Sequence, residues 1–282
     1  MRVNSPRQLK DWINNAAKEK NLTANTLLQN YMMERLLERI SVSKYKDNLI
    51  LKGGFLIAAI IGINMRSTMD MDTTIKGIPV NRESVERILN EILGIELDDN
   101  VTFRAKSIRS IHDVSEYDDY RVSVEAQFFT IKVNLKIDIT TGDQIIPREI
   151  DYSFQLMFEE RSISIKAYNL NTILAEKVES ILARNVANTR ARDYYDVYIL
   201  LTILLTLRKN EIDLVSLRSA IRRKAEERNT LVFVDNFEKY VSDIEDSEDL
   251  KAIWKSYAEK FPYAESISFV ETTRTIRKIF EA

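Results

Sequence analysis

Residues 51–77, LKGGFLIAAIIGINMRSTMDMDTTIKG, constrain the fold more than any other stretch of the chain. The apolar run LILK leads into Gly53 and Gly54, and the apolar run FLIAAIIG follows. That order reads as strand or loop, glycine turn, then a helix with no serine or aspartate to cap it. Consecutive glycines at a helix start can turn backbone N–H groups toward an anion, although a plain tight turn has the same composition. Beyond the helix, Met65, Ser67, Met69 and Met71 alternate with Arg66, Thr68, Asp70 and Asp72, as in a strand whose faces alternate. On that reading Arg66, Thr68, Asp70 and Asp72 share a face, with the two carboxylates ~7 Å apart. Like charges so placed resist joint ionisation, and a hard cation such as Mg²⁺ turns the repulsion into attraction. A solvated strand edge is the plainer explanation of Asp-x-Asp alone.

Two more segments carry carboxylates or cations in patterned positions. In VNLKIDIT, Val133, Leu135, Ile137 and Ile139 face a core, while Asn134, Lys136, Asp138 and Thr140 face the other way. Asp138 is thus a candidate third carboxylate of a metal-dependent transfer site, or an ordinary half-exposed strand residue. In the helix expected from about 172 to 184, Ile173, Lys177 and Ile181 fall on one stripe. Lys177 either snorkels from it or offers a point charge to a phosphate. Asp193 and Asp196 open the next helix at i, i+3. Capping accounts for both, but Asp196 also lies on the stripe with Leu200 and Ile203 and so needs an internal partner, for which Lys177, Arg190 and Arg192 are available.

Composition narrows the chemistry. With no cysteine and a single histidine, His112 in a polar context, neither a zinc cage nor a Ser-His-Asp triad has its parts. The net charge of −2 gives no global field toward nucleic acid. Local basic clusters remain: Arg104, Lys106 and Arg109; Arg184, Arg190 and Arg192; and Arg218, Arg222, Arg223, Lys224 and Arg228. The first residues lack the apolar core of a signal peptide, and VYILLTILLTL is too short to span a bilayer, so a soluble cytoplasmic protein is expected.

The 282 residues suffice for one large or two modest domains. Residues 5–45 read as helical, opened by Ser5-Pro6. NRESVERILNEIL reads as a helix capped by Asn81. The strand-like runs VTFRAKSI, YRVSVEAQFF, VNLKIDIT, YSFQLMF and SISIKAY follow, and from residue 171 onward the pattern is almost wholly helical. The expectation is an α+β fold, with a mixed-sheet domain over 1–165, including leading helices in 1–48, and an α-helical domain over 166–282.

KGGFLIAAIIGINMRSTMDMD resembles the first motif of the nucleotidyltransferase superfamily. Together with NLNTILAEKVESILAR and RARDYYDVYIL, in this order, the sequence is similar to the AbiEii/AbiGii toxin family of toxin–antitoxin and abortive-infection systems, over residues 49 to about 205. The resemblance implies a nucleotidyltransferase-like mixed sheet and Mg²⁺-dependent transfer of a nucleoside monophosphate from a triphosphate, GTP among the candidates. It implies tRNA at its 3′ end as the leading acceptor, with a block of translation. It also implies a DNA-binding antitoxin encoded nearby without a tight complex. On it, Lys52, Gly53, Gly54, Arg66, Thr68 and Lys177 would hold the nucleotide, and Asp70, Asp72 and Asp138 the metal. Lys177 and one aspartate of RDYYD, Asp196 in preference to Asp193, would be essential. If Asp70 and Lys177 served one nucleotide, the site would be a cleft between the two halves. The alternatives are an inactive NTP-binding protein, which the intact aspartate pair disfavours, and a housekeeping RNA nucleotidyltransferase.

Overall fold

A computed structural model describes residues 3–111, 119–207 and 213–281; His112 lies outside them. The chain forms two compact units, Met1–Asp143 with Glu149–Tyr168, and Gln144–Arg148 with Asn169–Ala282.

The first unit begins with α1 (Pro6–Lys20) and α2 (Ala24–Val42), each capped by a side chain, Ser5 to the Gln8 amide and Thr23 to the Thr26 amide. The helical region expected over 5–45 consists of these two helices. Asn21 ends the first in the left-handed conformation, φ 52°, where its amide returns to the carbonyls of Ala17 and Lys18. Next come β1 (Leu49–Lys52), α3 (Gly53–Ile61), β2 (Asp70–Ile75) and α4 (Arg82–Leu93). Asn81 caps α4 as expected, with Ser84 returning the bond to the Asn81 amide. Five strands complete the unit: β3 (Val101–Ile111), β4 (Asp119–Phe128), β5 (Ile131–Thr141), β6 (Ile150–Gln155) and β7 (Ser162–Ala167). The strand read from YSFQLMF stops at Gln155, because the backbone turns there. Leu156 N–H donates to the Arg161 carbonyl, and the Gln155 amide group donates to the carbonyls of Glu159 and Arg161.

The seven strands make one sheet in the order β3-β4-β5-β2-β1-β7-β6. The pairs β2/β5 and β1/β7 are parallel and the others antiparallel. Leu135, Ile137 and Ile139 are buried as their alternation requires, beside Val122, Val124, Ala126 and Phe128. The α2 helix packs on β5 and β7, and α4 on β3. Unlike an amphipathic surface helix, α2 is buried all round from Tyr31 to Ile40, charged residues included. Its charges are consequently paired: Arg39 grips Asp99 at 2.8 and 3.0 Å and also donates to the carbonyls of Ile95 and Val101.

The second unit is helical: α5 (Leu170–Arg184), α6 (Ala191–Leu207), α7 (Leu214–Glu227), α8 (Leu231–Asp235), α9 (Phe237–Asp246), α10 (Glu248–Lys260) and α11 (Phe269–Glu281). Its core gathers Leu174, Val178 and Ile181 of α5 with Leu200 of α6, Ile221 of α7 and Ile276 of α11, all fully buried. Among the described residues no helix is long and apolar enough to cross a membrane.

Candidate active site

The α3 helix starts without a side-chain cap from its own turn. Its orphan amides are instead met from across the sheet: Gly54 N–H donates to Asp72 Oδ2 at 3.3 Å. A carboxylate is a favourable partner there, because the aligned peptide dipoles leave a helix N-terminus partly positive. The close approach explains the glycine pair. Gly53 has φ +67°, and a Cβ built on it would lie 2.0 Å from Asp72 Oδ2. A Cβ on Gly54 would come to 3.0 Å from Thr68 Oγ1 and 3.1 Å from Arg66 Nη2. The helix start is thus ringed by Arg66, Thr68 and Asp72. Gly53→Ala should displace the Asp72 carboxylate, lower the melting temperature and lose most nucleotide transfer; an unaltered melting curve with full transfer would contradict this geometry.

Arg66 and Thr68 reach this place differently from the sequence expectation. The strand begins at Asp70, and residues 66–69 are irregular. Asn30 and Gln29 of α2 explain this. Their side-chain amides donate to the carbonyls of Thr68 (2.8 Å) and Met69 (2.7 Å), replacing ladder bonds. Alternation fails accordingly: Arg66 and Thr68 are buried, while Met69 is 42% exposed. The Arg66 guanidinium donates to the Ser67 carbonyl, and Thr68 Oγ1 lies 3.5 Å from the Asp70 amide.

Over Asp70–Thr73 the alternation holds, and beyond it Thr74 and Ile75 are both buried. Met71 is fully buried, and Asp70 and Asp72 are half-exposed. The parallel pairing with β5 resolves a matter that sequence spacing left open, placing Asp138 directly beside Asp72. Cross-strand register extends the row on both sides: Lys52 is opposite Asp72, and Arg121 is opposite Asp138. Four adjacent strands therefore carry cation, carboxylate, carboxylate, cation in line. The outer pair is tightly made, Arg121 holding both Asp138 oxygens at 2.8 and 2.7 Å. The Arg121 guanidinium is held further toward its charged form, first by Asp138 and then by Asp70 and Asp72, so all three carboxylates act on one cation. At the other end Lys52 Nζ sits 2.6 Å from Asp143, which also accepts from Thr140 at 2.6 Å, and lies over the Tyr168 ring. Sequence reasoning missed Arg121 and Asp143. Nothing local marks either, since each is defined by a partner 17 or 91 residues away.

These groups suit a divalent cation of the hard type. Asp70 and Asp72 offer oxygen donors on one face, and Mg²⁺ is ordinarily held by one or two carboxylates with water and substrate phosphates. Among the described residues no three acidic or histidine side chains converge into a cage. The committed Asp138 oxygens agree with that.

In the second unit, Lys177 does not snorkel. Its ammonium lies 2.6 Å from Asp193 Oδ1 and 2.9 Å from Asp196 Oδ2. Asp196 is fully buried and Asp193 nearly so, so Asp193 is more than a surface cap, and both aspartates of RDYYD meet the same lysine. Arg190 and Arg192, the other partners considered for Asp196, are exposed. The basic run on α7 is largely spent internally. Arg218 donates to the Ile279 carbonyl, Arg222 pairs with Asp235, the buried Lys224 with Glu176 and Glu227, and Arg228 with Glu179.

Comparison with known proteins adds the following. No curated protein matches the sequence. Among solved structures, a candidate nucleotidyltransferase from H. pylori aligns with 92% of this chain and 96% of its own, at 16% identity and a TM-score of 0.51. JHP933 from Helicobacter pylori aligns with 92% of this chain and 91% of its own, at 15% identity and a TM-score of 0.48. At these identities the first likeness speaks for the fold alone, a nucleotidyltransferase-like one. The profile of the family described as nucleotidyl transferase AbiEii toxin, type IV TA system, matches residues 35–281. The match spans most of both units, and the chain belongs to the AbiEii nucleotidyl transferase toxin family of type IV toxin–antitoxin systems.

Proposed function

We propose that this nucleotidyltransferase toxin transfers a nucleoside monophosphate from an NTP to the 3′ end of tRNA, releasing pyrophosphate and stopping translation. The observation that carries the reading is the α3 start. There, amides, the Arg66 guanidinium and the Thr68 hydroxyl surround the point where Asp72 enters, with Asp70 next along the same strand. Triphosphate transfer is mostly positioning and charge neutralisation, and these groups supply both.

Each residue has a stated task. Gly53 and Gly54 make room at the helix start for the Asp72 carboxylate, and the nucleotide's phosphates lie against this glycine turn, where Arg66 and Thr68 donate to their oxygens. Asp70 and Asp72 hold Mg²⁺, which when bound neutralises phosphate charge and orients the attacking hydroxyl. Asp138 acts through Arg121, which it fixes at the margin of the carboxylate row. Lys52, anchored by Asp143, balances Asp72 from the other side. Lys177, with Asp193 and Asp196, is required for transfer. An antitoxin partner follows from the family. We place it as a DNA-binding protein encoded nearby that forms no tight complex, in a system serving phage defence.

The test is to incubate the purified protein with Mg²⁺, total RNA and each α-labelled NTP in turn. Label is expected in RNA of tRNA size, one NTP being preferred, with stoichiometric pyrophosphate and dependence on the divalent ion. NTP binding without pyrophosphate release would overturn the reading, and transfer to another RNA would correct the acceptor.

A further inference from the structure

The face of the sheet that carries Asp70 and Asp72 continues outward across β5, β4 and β3, and its charge changes sign on the way. Strand register identifies the residues that share it. Lys136 is opposite Asp70, Arg121 opposite Asp138, and Arg109 opposite Arg121. Arg104 is opposite Glu125, and Lys106 sits at the irregularity in the β3/β4 register and reaches the same Glu125 at 3.2 Å. Lys132 also reaches Glu125, at 3.6 Å. Arg104, Lys106, Arg109, Arg121, Lys132 and Lys136 are all exposed.

Two features distinguish this surface from a solvated face of mixed charge. First, its cations exceed its carboxylates. Glu125 is shared between two lysines, and among the described residues no carboxylate pairs with Arg104, Arg109 or Lys136. The basic residues of α7 are, by contrast, mostly bound within the unit. Second, Arg109 stands directly across from Arg121 on the adjacent strand. Asp138 already holds the Arg121 guanidinium, whereas among the described residues no carboxylate does so for Arg109, which leaves that charge to an anion lying over it.

We propose that the exposed face of β3, β4 and β5 is a track for the phosphodiester backbone of the acceptor nucleic acid, which leads the acceptor's end to Asp70 and Asp72. The proposal deepens the transfer reading and rests on it for the identity of the acceptor's destination. The dimensions agree. Three strand spacings separate β3 from β2, ~14 Å, and a stacked single strand carries one phosphate per ~3.4 Å, so about four phosphates cover the distance. Phosphate contacts of this kind fix position without reading bases, which suits an acceptor whose reactive hydroxyl must be delivered to one point.

The test measures binding, not transfer, so that it can fail separately from the catalytic reading. Full-length protein is titrated without NTP or divalent ion against a labelled single-stranded RNA and a DNA of the same sequence, over a salt series. The variant Arg104→Gln/Lys106→Gln/Arg109→Gln is compared with wild type and with Arg184→Gln/Arg190→Gln/Arg192→Gln, the other exposed basic cluster, and circular dichroism checks folding. Removing three phosphate contacts should flatten the slope of log affinity against log salt by about 2, and weaken binding at low salt by about tenfold or more. A loss confined to RNA assigns the track to RNA, and an equal loss with DNA assigns it to the shared backbone. Wild-type affinity and slope in the folded β3 variant, or a loss only in the 184/190/192 variant, would overturn the proposal. If the β3 variant loses binding while the wild-type protein transfers no nucleotide, the track stands and the catalytic reading falls.

Discussion

Asp70→Asn should leave the protein folded and reduce nucleotide transfer by about 10²–10³-fold or more, since it removes one of the two carboxylates that would hold the Mg²⁺ neutralising the phosphate charge. The substitution is close to isosteric. Asp70 is half-exposed at the first position of β2, so neither packing nor a buried ion pair is lost. Its effect should therefore appear in turnover and in the concentration of Mg²⁺ required, with an unchanged melting curve. Asp72→Asn is a harsher change, because the Asp72 carboxylate also satisfies the Gly54 amide and faces the α3 dipole. It should lose transfer and some stability together. A folded Asp70→Asn protein that labels RNA at the wild-type rate would exclude the carboxylate pair as the metal site.

The other large effect is expected at Lys177. Read as a residue on a helical stripe, it should be replaceable without harm to folding. The structure argues for a different outcome, because its ammonium stands between Asp193 and the fully buried Asp196. Lys177→Met would leave two carboxylates buried side by side without that cation, a change on the order of 3–5 kcal/mol. The prediction is a marked drop in the denaturant midpoint, read by helical circular dichroism. Lys177→Arg keeps the charge and should keep most of the stability, yet it replaces a compact ammonium by a planar fork and should lose most transfer activity. The pair of variants separates the two roles. A stable Lys177→Met protein would contradict the buried ion-pair arrangement, and an active Lys177→Arg protein would remove Lys177 from the chemistry.

Much of the fold was legible in short stretches because its causes are short-range. The Ser5-Pro6 start, the Asn81 cap, the alternation through Leu135, Ile137 and Ile139 and the helical second half all follow from neighbours a few residues apart. The glycine pair likewise announced a turn into a helix start, and the Asp-x-Asp spacing two carboxylates on one face of a strand. Local reasoning failed where a distant group intervened. The expected strand over 66–69 gave way because Gln29 and Asn30, about forty residues earlier, take its carbonyls.

By itself, then, the sequence determined the elements, the glycine turn and the residue types available for phosphate and metal chemistry. Only the tertiary structure decided their partners. It set Asp138 beside Asp72 but bound it to Arg121, tied Lys52 to Asp143, made Asp72 the cap of α3, and joined Lys177 to both aspartates of α6. The reason is physical. Periodicity records which face of an element is buried, whereas an ion pair or a cross-strand neighbour depends on register between segments that sequence spacing does not encode.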